Sequence, residues 1–215
     1  SDQALLHGHR KTMEMLDLSQ ETVPAVVQLF GGQPQNMARA AAIAEKQGAI
    51  IIDINMGCPT PKIVKNGEGA ALMKDLPRAR ELIRAVVNAV EVPVTVKMRK
   101  GWDDSSTNYL ELCRIAEAEG VKAITLHPRT REQFFSGRAD WKAIREAKAA
   151  VSIPVIGNGD IFEAGDALEM IRLTGCDAVM IGRGGMGNPF LFAAVAAALD
   201  GKELPLVPTW AQRIQ

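Results

Sequence analysis

Six short runs rich in Val and Ile punctuate the chain: "PAVVQLF" (24–30), "AIIIDIN" (49–55), "VPVTVKM" (92–98), "VKAITLH" (121–127), "IPVIGNG" (153–159) and "DAVMIGR" (177–183). Read as runs without polar/apolar alternation, they predict strands covered on both faces. Between them lie stretches with apolar residues at helical spacing: "PQNMARAAAIAEKQ", "LPRARELIRAVVNAV", "TNYLELCRIAEAEG", "DWKAIREAKAAV" and "EAGDALEMIRLTG". Several of these end at Gly, as helices do. Strand, helix, strand, helix predicts a parallel sheet with right-handed crossovers.

Polar residues fall at the C-terminal ends of the successive runs: Gln28, Asp53 and Asn55, Lys97 and Arg99, His127 and Arg129, Asn158 and Asp160, Arg183. A (β/α)8 barrel opens all its strand ends onto one mouth, whereas an open doubly wound sheet uses mainly those at its switch point. The distribution therefore predicts the barrel. An internal echo agrees, since "VPVTVKMRKG" resembles "IPVIGNGDI" and "GVKAITLHPR" resembles "GCDAVMIGRG". A barrel needs eight strands and six runs are visible. The opening stretch, "SDQALLHGHRKTMEMLDLSQETVP", is polar and irregular with a short helical patch, and reads as a long loop after a strand that is not there.

Composition narrows the class without changing this picture. With 215 residues, 47% of them hydrophobic and 23% charged, the chain fits one ordinary globular domain. A formal net charge of zero gives no global basic field for nucleic acid, so a polyanion partner would need a local patch or some region outside this chain. Three cysteines in non-motif spacing argue against a disulfide framework or a zinc site and suit a reducing cytoplasm. No apolar run approaches the ~20 residues of a membrane span, and the first residues lack a signal-peptide pattern.

Two glycine-bearing segments, "IGNGDI" (156–161) and "IGRGGMGN" (181–188), each follow a strand and precede a helix, presenting backbone N–H groups to an anion. Adjacent loops of this kind match the phosphate cup of phosphate-binding barrels. Gly182, Gly184 and Gly187 formally spell a dinucleotide fingerprint, but no strand with an acidic residue follows. Tight turns alone would also use such glycines; Arg183 favours the phosphate reading, because a guanidinium adds charge to shape. One cysteine also stands out. Cys58, in "MGCPTPK", is hemmed in by Gly and two prolines at the end of a buried run, where a thiol has no core to fill. Cys113, in a helical stretch, and Cys176, just before a strand, read as buried and inert.

Five segments, "DINMGCPTPKIVKNGEGAALMKDL", "VTVKMRKGWDD", "LHPRTREQFFSGRADW", "IPVIGNGDI" and "MIGRGGMGNPF", together resemble the tRNA-dihydrouridine synthases, most nearly the bacterial DusB-like branch. The likeness runs from about Ala4 to Phe192. It implies an FMN-dependent (β/α)8 barrel that reduces the C5=C6 bond of uridines in tRNA, with NADPH as reductant and no metal. In that chemistry hydride reaches C6 and a proton reaches C5 from a positioned acid. A thiol, with an ordinary pKa of ~8.5, is mostly protonated at neutral pH and can deliver it. The family's general acid aligns with Cys58. By the same resemblance Gln28, Lys97 and His127 contact the FMN ring, Asn158, Gly159, Asp160, Gly182 and Arg183 cradle its phosphate, and Asn55 and Arg99 bind the flipped-out uracil. Taken singly, Gln28 also reads as a solvated loop residue and His127 as a satisfied structural histidine.

The likeness also implies departures. Pro128 stands where the family pattern leads one to expect Gly, which stiffens the chain beside His127 and removes an N–H. The family's first two strands, its "APM" flavin loop and its C-terminal helical domain have no counterpart in the sequence. The expectation is a truncated barrel over residues 1–200, with 201–215 starting a linker to a helical tRNA-binding domain, open edges beside the first and last strands, and weak FMN binding by the chain alone. Two other functions fit the same residues: an FMN barrel acting on a free pyrimidine, like dihydroorotate or dihydropyrimidine dehydrogenases, and an inactive barrel fragment.

Overall fold

In a computed structural model the chain is described over residues 1–206. Its centre is a six-stranded, all-parallel sheet of β1 (Val26–Leu29), β2 (Ile51–Met56), β3 (Val94–Gly101), β4 (Ala123–Thr130), β5 (Val155–Asn158) and β6 (Ala178–Met180), paired in the order β1-β2-β3-β4-β5-β6. The order never reverses, so there is no switch point and the winding is that of a barrel rather than of a doubly wound sheet. The closed eight-stranded barrel is not reached. Among the described residues, β1 and β6 each pair on one side only.

The sheet nonetheless curls. Laid flat, β1 and β6 would stand about 24 Å apart at ~4.8 Å per strand, yet one cavity of about 470 Å³ is lined by Gln28 of β1 and by Met180 of β6.

Two short helices, α1 (Asp2–Leu6) and α2 (Arg10–Met15), precede β1, and a third, α4 (Pro61–Val64), follows β2. The long crossovers are α3 (Pro34–Lys46), α5 (Leu76–Val87), α6 (Tyr109–Ala118), α7 (Trp141–Ala150) and α8 (Ala164–Thr174), with α9 (Phe190–Leu199) after β6. Each buries one stripe against the sheet: Met37, Ala40, Ala41 and Ala44 on α3; Ala79, Leu82, Ile83 and Val86 on α5; Ala143, Ile144 and Ala147 on α7. The spacing i, i+3, i+4, i+7 is that of one helical face, and the alanines let helix and strand backbones approach. Helix α5 starts on Asp75, whose carboxylate accepts the Arg78 N–H, and α8 stops at Gly175 in the left-handed conformation.

The strands differ in one respect from the sequence reading. Along β3, Val94, Val96 and Met98 are buried beneath helices, while Thr95, Lys97 and Arg99 bond to groups on neighbouring strands and loops across the opposite face. The runs therefore do alternate, with polar side chains on the concave face, and "VTVKMR" carries that pattern openly. The concave face holds a polar site instead of hydrocarbon layers.

Pro128 lies inside the central strand β4, where a missing N–H would normally break the ladder. It falls where the β3–β4 register shifts between Arg99 and Gly101 and beyond the last β4–β5 pair at Leu126, so no partner is lost. Residues 201–206 follow α9 without regular structure, and the rest of the anticipated linker, 207–215, lies outside the described residues.

Candidate active site

The C-terminal strand ends converge on the cavity of about 470 Å³, within the range of small-ligand sites. Every residue to which the resemblance gives a site role lines it, namely Cys58, Gln28, Lys97, His127, Asn158, Gly159, Asp160, Gly182, Arg183, Asn55 and Arg99, whereas the strand-end residues Asp53 and Arg129 do not. Sequence reasoning had no part for Phe135, Ile161, Phe162 and Met180, which supply its apolar wall.

Cys58 is half-buried on the loop between β2 and α4, its Sγ 3.3 Å from Thr60 Oγ1, while Cys113 and Cys176 are buried. The loop is tied down by Asn55, whose Oδ1 accepts from the Gly57 N–H at 3.1 Å and the Cys58 N–H at 2.9 Å. Gly69, at φ +58°, packs against the loop so closely that a Cβ there would stand 2.8 Å from the Cys58 carbonyl oxygen.

The charges of the pocket are largely desolvated. Lys97 Nζ donates to Asn158 Oδ1 at 3.0 Å, and burial, then Arg99, lower its pKa to about 8 against the pull of Asp53. Arg99 is 4% exposed; its Nε and Nη1 donate to the carbonyls of Gly57, Thr130 and Phe134. Burial lowers Arg99 to about 10, with Cys58 raising and Arg129 lowering it further. His127 falls to about 3, first through burial and then through Arg99, Lys97 and Arg129. Its imidazole is neutral. Because Arg129 Nη1 lies 3.4 Å from His127 Nε2 and can only donate, the ring proton sits on Nδ1.

At the far end of the cavity Asp160 holds a positive φ of 57°, uncommon for a residue with a side chain. Its carboxylate pins it there, accepting from Arg129 Nη2 at 2.8 Å, the Ala139 N–H at 2.7 Å and Arg183 Nη2 at 3.2 Å. Burial pushes that carboxyl up, but Ala139, Arg129 and Arg183 hold it below the ordinary range. Asp160 thus has only its backbone N–H to offer an anion, and it aims Arg183, whose guanidinium also lies over the Phe135 ring at 4.9 Å. Gly159 (φ +121°) and Gly182 open the backbone beside it.

An anion cradle at one end, a buried ammonium and donor amides in the middle and an apolar wall suit an organic phosphate with a flat polar ring. Among the described residues there is no cluster of three or more His, Cys, Asp or Glu able to hold a metal, and no helix is long and apolar enough to cross a membrane.

The sequence model of the family described as dihydrouridine synthase (Dus) matches residues 1–215. The probable tRNA-dihydrouridine synthase of Rhizobium leguminosarum bv. phaseoli is 51% identical over 177 residues, covering 82% of this chain and 56% of that protein. Proteins of the same description from Rhodobacter capsulatus and Mycobacterium tuberculosis are 50% and 46% identical, covering 87% and 96% of this chain and 58% and 54% of theirs. The chain thus spans little more than half the length of these relatives. Among solved structures, D-glucarate dehydratase from Agrobacterium tumefaciens complexed with magnesium superposes with a TM-score of 0.63 at 18% identity, over 89% of this chain and 48% of that one. At that identity the likeness is one of fold.

Proposed function

The chain belongs to the dihydrouridine synthase family, and from that premise we propose that its pocket serves reduction of the C5=C6 bond of uridine in tRNA, with FMN bound in the cavity and NADPH as reductant. The observation that carries this reading is the convergence on one cavity of a half-buried thiol, a desolvated lysine and an anion cradle. When bound, the reduced flavin supplies the hydride for C6.

The chain's own residues do the rest. Cys58 gives its thiol proton to C5, so the S–H bond breaks as the C5–H bond forms. It has few competitors: His127 is neutral, with its proton committed to Nδ1, and Lys97 is held by Asn158. Gln28, Lys97 and His127 would hold the polar edge of the ring, the ammonium favouring negative charge there. Gly159, Gly182, the Asp160 N–H and Arg183 would hold the phosphate, with Asn158 bracing Lys97 beside it. Asn55 retains an amide N–H and Arg99 an Nη2 for the carbonyl oxygens of a uracil swung out of its stack, as attack at C6 requires. The three free thiols suit a reducing compartment, and the proposal sets the reaction in the cytoplasm.

The test is direct. The protein is incubated with FMN, NADPH and unmodified tRNA, and nucleosides are read by mass spectrometry, with free uridine and orotate as parallel substrates. Dihydrouridine in tRNA alone supports the proposal; reduction of only the free pyrimidines, or of nothing, refutes it.

A further inference from the structure

Beneath the Cys58 loop lies a row of three register partners, Gln28, Asp53 and Thr95, on β1, β2 and β3. Their hydrogen bonds have a direction. Asp53 is 6% exposed and lies outside the cavity lining. Its two oxygens accept from Thr95 Oγ1 and from Gln28 Nε2, each at 2.6 Å. Since a carboxylate can only accept, the Gln28 amide must present its nitrogen to Asp53 and turn Oε1 away. That Oε1 accepts from Asn55 Nδ2 at 2.8 Å. Asn55 in turn faces Oδ1 to the N–H groups of Gly57 and Cys58, which can only donate.

A primary amide is nearly symmetric in shape, so nothing steric chooses between its two flips; only its partners do. Here the buried carboxylate chooses for Gln28, the donor-only N–H groups of the loop choose for Asn55, and the bond between the two amides is made only when both choices agree. We infer that Asp53 is a positioning residue for Cys58: its carboxylate fixes the Gln28 flip, so that Gln28 Oε1 anchors the Asn55 amide that clamps the backbone of the thiol's loop, and each amide nitrogen keeps a further N–H for ligand carbonyl oxygens. This inference rests on the reading of Cys58 as proton donor. It assigns work to a residue that touches neither substrate nor cofactor.

Asp53→Asn is nearly isosteric and replaces the acceptor-only end of the chain with a group that accepts either flip. Two readouts are taken: hydrogen exchange, by mass spectrometry, of peptides bearing the Gly57 and Cys58 amides, and steady-state dihydrouridine formation. Expected are exchange about tenfold or more faster at those amides and a kcat about tenfold or more lower with the KM for tRNA within about twofold. Ile144→Val, a core truncation on α7 outside the cavity, is the control for lost stability. Unchanged exchange in Asp53→Asn, or a change no greater than that of Ile144→Val at equal loss of melting temperature, overturns the inference. If Asp53→Asn does not fold, Gln28→Leu, at an exposed position, breaks the chain one link along and must deprotect the same amides; if it does not, the inference falls. Should wild-type protein form no dihydrouridine, the proposed function fails, while the exchange measurement still decides the positioning of the loop.

Discussion

Replacing His127 by Gln separates a charge effect from a packing effect. The imidazole is lowered from 6.5 to about 3, by burial first and then by the charges of Arg99, Lys97 and Arg129, with Asp160 opposing. Between those two values the unfolded chain holds a proton that the folded chain refuses, so acid favours unfolding and stability falls as pH drops below 6.5. Each pH unit in that window is worth at most about 1.4 kcal/mol, giving about 2 kcal/mol at pH 5. For a domain of this size that is about 4–8 °C in melting temperature. His127→Gln keeps an acceptor for Arg129 and removes the titration. Thermal melts by circular dichroism at pH 7 and pH 5 should show the wild type losing about 4–8 °C more than the variant. The raised pKa of Asp53, which acts with the opposite sign, is common to both proteins and drops out of the difference. Parallel losses in the two proteins would refute the desolvated, cation-surrounded environment on which the assignment of a neutral His127 depends.

Three further substitutions probe the pocket. Lys97→Met removes an ammonium that burial already disfavours, so in flavin-free protein the melting temperature should rise, while titration with FMN should show affinity about tenfold or more weaker. Arg129→Met leaves Asp160 without its main partner in a pair where the arginine side chain is only 1% exposed, and denaturant unfolding should register a loss of about 3–5 kcal/mol. Gly184→Ala places a Cβ 2.1 Å from the Ile161 carbonyl oxygen, a backbone atom that cannot swing aside; a loss of about 1–3 kcal/mol is expected in the same assay, with weaker FMN binding measured alongside.

Strand and helix positions were legible because each crossover repeats one signal, a β-branched run followed by apolar residues at helical spacing. Barrel winding was legible because polar residues recur at every strand end. What the pattern concealed was the facing of those residues: Thr95, Lys97 and Arg99 alternate with Val94, Val96 and Met98, yet a short apolar run reads most readily as covered on both sides. The motifs brought together the residues of the site but not their partners. Asp160 is engaged by Arg129 across 31 positions of sequence and Asp53 by Thr95 across 42, separations that only the sheet register closes. Phe135 and Phe162 sit on loops with no periodic signature, so their place in the cavity wall follows from tertiary structure alone.

The central claim is that the Cys58 thiol provides the proton for C5. Its most direct measurement mixes tRNA anaerobically with protein carrying pre-reduced FMN and follows flavin reoxidation by absorbance in a single turnover, comparing wild type with Cys58→Ala at equal flavin occupancy. A rate about 10²–10⁴-fold lower in the variant, as loss of a general acid entails, is the predicted result; equal rates would contradict it.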